Sequence, residues 1–217
     1  MLLSTSCAKL TSRSIVIGDN EPIVTKEFNV NGDIRQINSP NICDVEYHQG
    51  DKQSVVLKCN KALVDHMEVT LRGGVLTIAL KEGYDAKNSY SVLRVTAPHV
   101  SEFVSEGTGD FEIFDITGPS LSIQSYGTGD FDIRTFTGDT FSATTNGTGD
   151  IDADKIQADK ISLETYGTGD IEANIEAGNV RAVTAGTGDI KLSGTYGDGT
   201  FEASGVGDME IDNLKRK

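Results

Sequence analysis

The chain contains no tryptophan, and aromatic residues make up only 6% of its 217 positions. That is too few large side chains for a spherical core, but enough for a narrow one filled by small and branched residues. Only 4 prolines stand beside 24 glycines, so the turns are made by glycine. No apolar run reaches the roughly 18 residues of a membrane-spanning helix. The three histidines, His48, His66 and His99, are isolated from one another. No Ser-His-Asp order, His-x-x-x-His pair or phosphate-cradling loop with lysine occurs. Gly-x-Gly recurs, but without a following helix it carries no nucleotide-binding meaning.

Bases are scarce where the sequence is most regular. Residues 1–106 carry 13 acids against 11 bases, whereas residues 107–217 carry 20 against 8, out of a net charge of −14. Phosphates would be repelled, which excludes nucleic acid as a partner and leaves cations, basic proteins and neutral glycans. Of three cysteines, Cys7 follows Met1-Leu2-Leu3-Ser4-Thr5-Ser6, a stretch like the end of a bacterial lipoprotein signal. Leu3 stands one position early for that signal, and its basic and apolar regions are missing. Lipid on Cys7 would be the chain's link to a membrane. Cys43 and Cys59 suit either a disulfide in an oxidising compartment or simple burial.

What the chain does have is a ruler. Gly-Thr-Gly-Asp stands at Gly107–Asp110, Gly127–Asp130, Gly147–Asp150, Gly167–Asp170 and Gly186–Asp189, with Gly-Val-Gly-Asp at Gly205–Asp208. The spacings are 20, 20, 20, 19 and 19 residues, a period that marks a solenoid of stacked turns. After each mark comes an alternating triplet: Phe111-Glu112-Ile113, Phe131-Asp132-Ile133, Ile151-Asp152-Ala153, Ile171-Glu172-Ala173, Ile190-Lys191-Leu192 and Met209-Glu210-Ile211. Period two puts the outer members of each triplet inside and the middle one outside. A second strand precedes the next mark, with Leu121/Ile123, Phe141/Ala143, Ile161/Leu163, Val180/Ala182 and Phe201 pointing inward. Each coil thus has at least two short strands, joined near Gly118, Gly138 and Gly178. Like then stacks over like at about 4.8 Å, in parallel. The expected fold is an all-β, right-handed parallel β-helix with coils of about 20 residues in the C-terminal half, handedness following the general preference of parallel crossovers.

Three segments follow from this. Residues 1–21 are a polar leader or tether. Residues 22–106 are β-rich with irregular coils, including runs at Ile34–Ile37, Ser54–Cys59, Met67–Leu71, Val75–Leu80 and Tyr90–Val95. Gly32-Asp33 and Gly50-Asp51 resemble degraded marks, and Gly73-Gly74 suits a tight hairpin. Residues 107–217 are the regular array.

The mark itself has a structural and a chemical interpretation. Structurally, Gly107, Gly109, Gly127, Gly129, Gly147, Gly149, Gly167, Gly169, Gly186, Gly188, Gly205 and Gly207 supply corners through positive φ, and the aspartates accept turn amides. Chemically, Asp110, Asp130, Asp150, Asp170, Asp189 and Asp208 form one acidic column, with Glu112, Asp132, Asp152, Glu172 and Glu210 beside it, broken by Lys191. Carboxylates 4.8 Å apart repel by about 0.9 kcal/mol in bulk water and by about 3.5 kcal/mol at an effective dielectric of 20. Turn amides, splaying into water or bridging cations must offset this, and calcium with oxygen ligands is the cation to test as a cofactor. A catalytic pair of carboxylates normally stands out from its repeat, and none does here. A lyase would also need a base such as Arg134, Arg181 or Lys155, none of which local sequence singles out. Tyr126 and Tyr166, with Asn146 between them, form either an ordinary exposed column or a ladder for sugars.

The serial Gly-Thr-Gly-Asp marks, the Gly73–Ile78 run and the start around Cys7 together resemble the putative auto-transporter adhesin, head GIN domain family, over about Ile23 to Leu214. The resemblance implies a β-helical, adhesin-like protein of the cell envelope, either an outer-membrane lipoprotein or a periplasmic or surface-exposed protein. It also implies an extracellular glycan or protein as ligand. No catalytic residues come with it, and the chain carries no β-barrel translocator. The competing expectation is a polysaccharide-acting β-helix enzyme of the pectin-lyase or glycosidase kind.

Overall fold

The computed structural model describes residues 12–217, so Cys7 lies outside the described residues. The regularity is carried by the C-terminal strands. Phe131–Thr145, Ile151–Thr165, Ile171–Thr184 and Ile190–Ala203 each run for one whole coil, and Met209–Arg216 closes the stack. They pair in parallel with the 20- or 19-residue offset of the marks, Phe131 opposite Ile151 and Ile151 opposite Ile171. Among the described residues there are strands and turns and no helix.

The first inward column, Phe111, Phe131, Ile151, Ile171 and Ile190, is fully buried, and half-buried Met209 ends it. Phe111 and Phe131 stack with ring centroids 4.5 Å apart. The second-strand residues Leu121/Ile123, Phe141/Ala143, Ile161/Leu163 and Val180/Ala182 are buried too. A third column lies where the strands were expected to join at glycine. Ile116, Phe136, Ile156 and Ile175 are buried between the other two. The strands therefore bend through Gly138 without a break. Burying each of these side chains contributes about 1.5–3 kcal/mol, and only as part of a stack.

The same sheet continues into the N-terminal half, out of sequence order. Gln36–Ser39 and Asp44–Gln49 form a coil that pairs in parallel with Glu102–Ser105 and Phe111–Ile113 on one side. On its other side it pairs in parallel with Val75–Leu80 and Ser91–Ala97. Antiparallel strands close that end: Met67–Arg72 on Val75–Leu80, and Ser54–Asn60 followed by Ile23–Glu27 on Ser91–Ala97. An antiparallel cap ends the parallel stack and covers its apolar columns. The turn between Met67–Arg72 and Val75–Leu80 is made by Gly73 and Gly74 at φ +60° and +89°, left-handed values that only glycine adopts freely.

Cys43 and Cys59 are free, buried members of the core. Burial pushes the Cys43 thiol up to about 12 against the opposing hydrogen bond with Ser91. It behaves as a small apolar side chain.

Candidate functional site

At each corner the aspartate carboxylate accepts a hydrogen bond from the backbone N–H of the equivalent aspartate one coil on. Asp130 N–H donates to Asp110 Oδ1 at 2.9 Å, Asp150 to Asp130 at 2.8 Å and Asp170 to Asp150 at 2.8 Å. Asp189 donates to Asp170 and Asp208 to Asp189, both at 2.7 Å. The ladder begins one coil earlier, where Asp110 N–H donates to Asp44 Oδ1 at 3.0 Å. Asn41-Ile42-Cys43-Asp44 is thus the mark of the first coil, whereas Gly32-Asp33 and Gly50-Asp51 are not marks. Ser39 and Asp44 stand five residues apart, like Thr145 and Asp150, and that spacing is the signal in the sequence.

None of the twelve mark glycines has a positive φ, which corrects the reason given for them above. They are glycine because the coils touch. A Cβ on Gly127 would lie 2.0 Å from the Gly107 carbonyl oxygen, and one on Gly129 2.1 Å from that of Gly109. The same contact recurs at Gly147, Gly149, Gly167, Gly169, Gly186, Gly188, Gly205 and Gly207, at 2.0–2.1 Å. Gly107 and Gly109 would strike the Asn41 and Cys43 carbonyls in the same way. Stacked backbone leaves no room for any side chain at these points.

A second, buried ladder lies two residues before every mark but the last, where Ala203 is exposed. Ser39, Ser105, Ser125, Thr145, Thr165 and Thr184 are wholly buried. Thr145, Thr165 and Thr184 donate from Oγ1 to the carbonyls of Gly149, Gly169 and Gly188 at 3.2, 2.9 and 2.8 Å. Ser39 does the same to Cys43 at 2.7 Å. These four hydroxyls tie their corners to the core, whereas the buried Ser105 and Ser125 hydroxyls have no partner among the described residues. At Thr128 it is the amide, donating to the Gly107 carbonyl at 2.8 Å, that makes the contact between coils.

Because Asp110 through Asp189 each accept an amide, their charge has a fixed donor. Asp150→Asn keeps an acceptor oxygen and removes one like charge from the column. Its melting temperature is expected to equal or exceed the parent's. Asp150→Leu leaves the Asp170 N–H without that acceptor and is expected to cost about 1 kcal/mol. Thermal melts of both, with calcium and with chelator, check this, and the two conditions are expected to superpose.

The neighbouring column runs Glu46, Glu112, Asp132, Asp152, Glu172, Lys191, Glu210. Arg94 pairs with Glu46 at 2.6 Å, Arg134 with Glu112 at 3.6 Å and Lys191 with Glu172 at 2.9 Å. Asp132 and Asp152, in the middle, have no such cation. Both are raised above the ordinary carboxylate value of 3.8, first by burial and then by surrounding carboxylates: Asp130 and Glu112 for Asp132, Asp132 and Glu172 for Asp152. A folded-state value above the unfolded one means stability that is fully present below the unfolded pKa and lost as pH rises through the folded one. Asp152→Asn is therefore expected to melt above the parent at pH 7, with the gap closing as pH falls toward 4. A gap that widens toward acid would contradict this.

Of the bases considered for lyase chemistry, Arg134 and Arg181 have partners of their own. The Arg134 guanidinium lies 4.7 Å from the centroid of the Phe114 ring, on which His48 also stacks at 3.9 Å. Arg181 pairs with Glu164 at 2.9 Å. Among the described residues no group of three or more His, Cys, Asp or Glu side chains is arranged to hold a metal ion.

The model of the family described as putative auto-transporter adhesin, head GIN domain, matches residues 34–154 and 144–217. The fold is shared with a putative adhesin from Bacteroides fragilis NCTC 9343, at 20% identity and a TM-score of 0.72, covering 93% of this chain and 99% of that one. A putative lipid binding protein from Parabacteroides distasonis ATCC 8503 is similar at 19% identity and a TM-score of 0.72, over 94% and 100% of the two chains. A putative adhesin from Parabacteroides merdae ATCC 43184 reaches 15% identity and a TM-score of 0.52, over 90% and 98%. No curated protein matches the sequence. With two matched segments that together run from residue 34 to residue 217, through the capped coils and the whole Gly-Thr-Gly-Asp array, the chain belongs to the putative auto-transporter adhesin, head GIN domain family.

Proposed function

We propose that the chain is a non-catalytic, adhesin-like binding or structural module displayed on a Gram-negative cell envelope, engaging an extracellular glycan or protein. Attachment to the membrane through lipid on Cys7 is part of this proposal. The observation that carries it is the sameness of the exposed positions from coil to coil. Asp130 and Asp150 have matching surroundings, and the two raised carboxylates, Asp132 and Asp152, match each other one coil apart, so each belongs to a repeating series. A rigid array that repeats side chains at a fixed spacing suits multivalent contact with a repeating or extended partner.

The test is retention of the purified protein on glycan and matrix-protein arrays, with product analysis on the same polysaccharides. Binding without release of unsaturated or reducing ends is expected. Release of such ends, abolished by Arg134→Ala, would overturn the proposal in favour of a polysaccharide-acting enzyme.

A further inference from the structure

Two exposed tyrosines break the sameness of the array. Tyr126 and Tyr166 are 51% and 49% exposed. They occupy equivalent positions with Asn146 between them: the Tyr126, Asn146 and Tyr166 amides donate to the Ser105, Ser125 and Thr145 carbonyls at 2.8, 2.7 and 2.8 Å. The two rings therefore stand two coils apart on one corner, about 9.6 Å. Each ring is held at both ends. Tyr126 Oη donates to Gln124 Oε1 at 2.9 Å, and Gln124 in turn donates to Glu102 at 2.8 Å. Tyr166 Oη donates to Glu164 Oε2 at 2.7 Å, and Glu164 is itself held by Arg181 at 2.9 Å.

Each ring comes with an anchor, although in the last coil Glu202 precedes Ser204 and has no ring to hold. The coils with tyrosine have Gln124 or Glu164 two residues before it. The coil with Asn146 has Thr144, and the coil with Ala185 has Val183. Packing does not require the pairing, since half of each ring is in solvent. A hydroxyl tether on an exposed ring fixes its orientation in advance and reduces the entropy lost when something lies on it.

We infer that Tyr126 and Tyr166 form a two-ring platform for a neutral, extended, β-linked glycan. This rests on the adhesin-like function proposed above and gives it a ligand class. Sugar rings present C–H faces that stack on aromatic rings, while their hydroxyls reach polar neighbours. In an extended β-linked chain alternate sugars turn over, so every second sugar offers the same face, at a repeat close to twice the coil spacing. Asn146, between the rings, is placed for the hydroxyls of the intervening sugar. The acidic excess of the array disfavours anionic glycans.

The test is titration of the full chain with neutral β-1,4-linked oligosaccharides, with α-linked oligosaccharides of equal length as control, read by the ring NMR signals of Tyr126 and Tyr166. Both rings are expected to respond to the β-linked series and not to the α-linked one. Tyr126→Ala and Tyr166→Ala are each expected to weaken binding about tenfold. Tyr166→Phe, which keeps the ring and loses its tether, should weaken it by less. Melting curves of the variants, expected to match the parent, show that folding is intact. Unmoved ring signals, or equal affinity in a Tyr126→Ala/Tyr166→Ala double variant, would overturn the platform. Array retention by that double variant equal to the parent's would overturn it while leaving the adhesin-like function standing. Retention of the parent on no array would instead count against that function, with the ring titration still deciding the platform.

Discussion

Gly149→Ala is expected to abolish or severely weaken cooperative folding, although it adds one methyl group at a surface corner. That methyl would lie 2.1 Å from the Gly129 carbonyl oxygen and 2.8 Å from its carbon, atoms of a hydrogen-bonded backbone with no rotamer to yield. The coils would have to separate locally, breaking the bonds from Thr148 and Gly149 to Gly127 and from Asp150 to Asp130. Overpacking costs about 1–3 kcal/mol where side chains can move, and more where backbone must. Against a total stability of about 5–15 kcal/mol, a loss beyond 3 kcal/mol is expected from denaturant melts. Gly118→Ala is the control. Nothing lies within 4 Å of its Cβ, so it should melt with the parent. If the two alanines behaved alike, the contact between coils would not be what selects glycine.

Ile151→Asp should be at least as damaging, by a different route. Ile151 is fully buried between Phe131 and Ile171 in the first inward column. A carboxylate there has no cation or donor in reach, and burying it unpaired costs several kcal/mol even after its pKa rises to neutralise it. Each coil is held only by its two neighbours, so a fault in the middle of the stack uncouples both sides. Loss of the cooperative transition at neutral pH, with partial recovery at acid pH as the side chain protonates, is the expected result in circular dichroism melts. A parent-like transition would mean that position 151 does not face the core.

Much of this was legible because two periods coincide in the sequence. Alternation by two located Phe111, Phe131 and Ile151 inside, and repetition by 20 stacked them. The buried hydroxyl ladder was missed, although the same parity, carried on from Leu121 and Ile123 to Ser125 or from Phe141 and Ala143 to Thr145, would have found it. Polarity argues against parity there, and parity holds because each threonine has a carbonyl four residues on. The glycines were recognised for the wrong reason. Sequence shows that a side chain is missing, and does not distinguish a left-handed backbone from a close neighbour. The coil at Gln36–Gln49 has a signal in its Ser39–Asp44 spacing, but its place in the stack was not legible, since it lies between segments that come later in the chain. Tyr126 and Tyr166 were legible as either an exposed column or a ladder for sugars, but their tethers were not, because these depend on how Gln124 and Glu164 point.

The corner ladder is tested most directly by amide hydrogen exchange at Asp130, Asp150 and Asp170, measured with chelator and again with calcium. These residues are exposed, yet each N–H is bonded to the carboxylate one coil before it. Slow exchange at all three, equal in the two conditions and faster at Asp150 in an Asp130→Ala variant, is the result expected of a ladder that needs no ion. Exchange as fast as in an unfolded chain, or protection only when calcium is present, would contradict it.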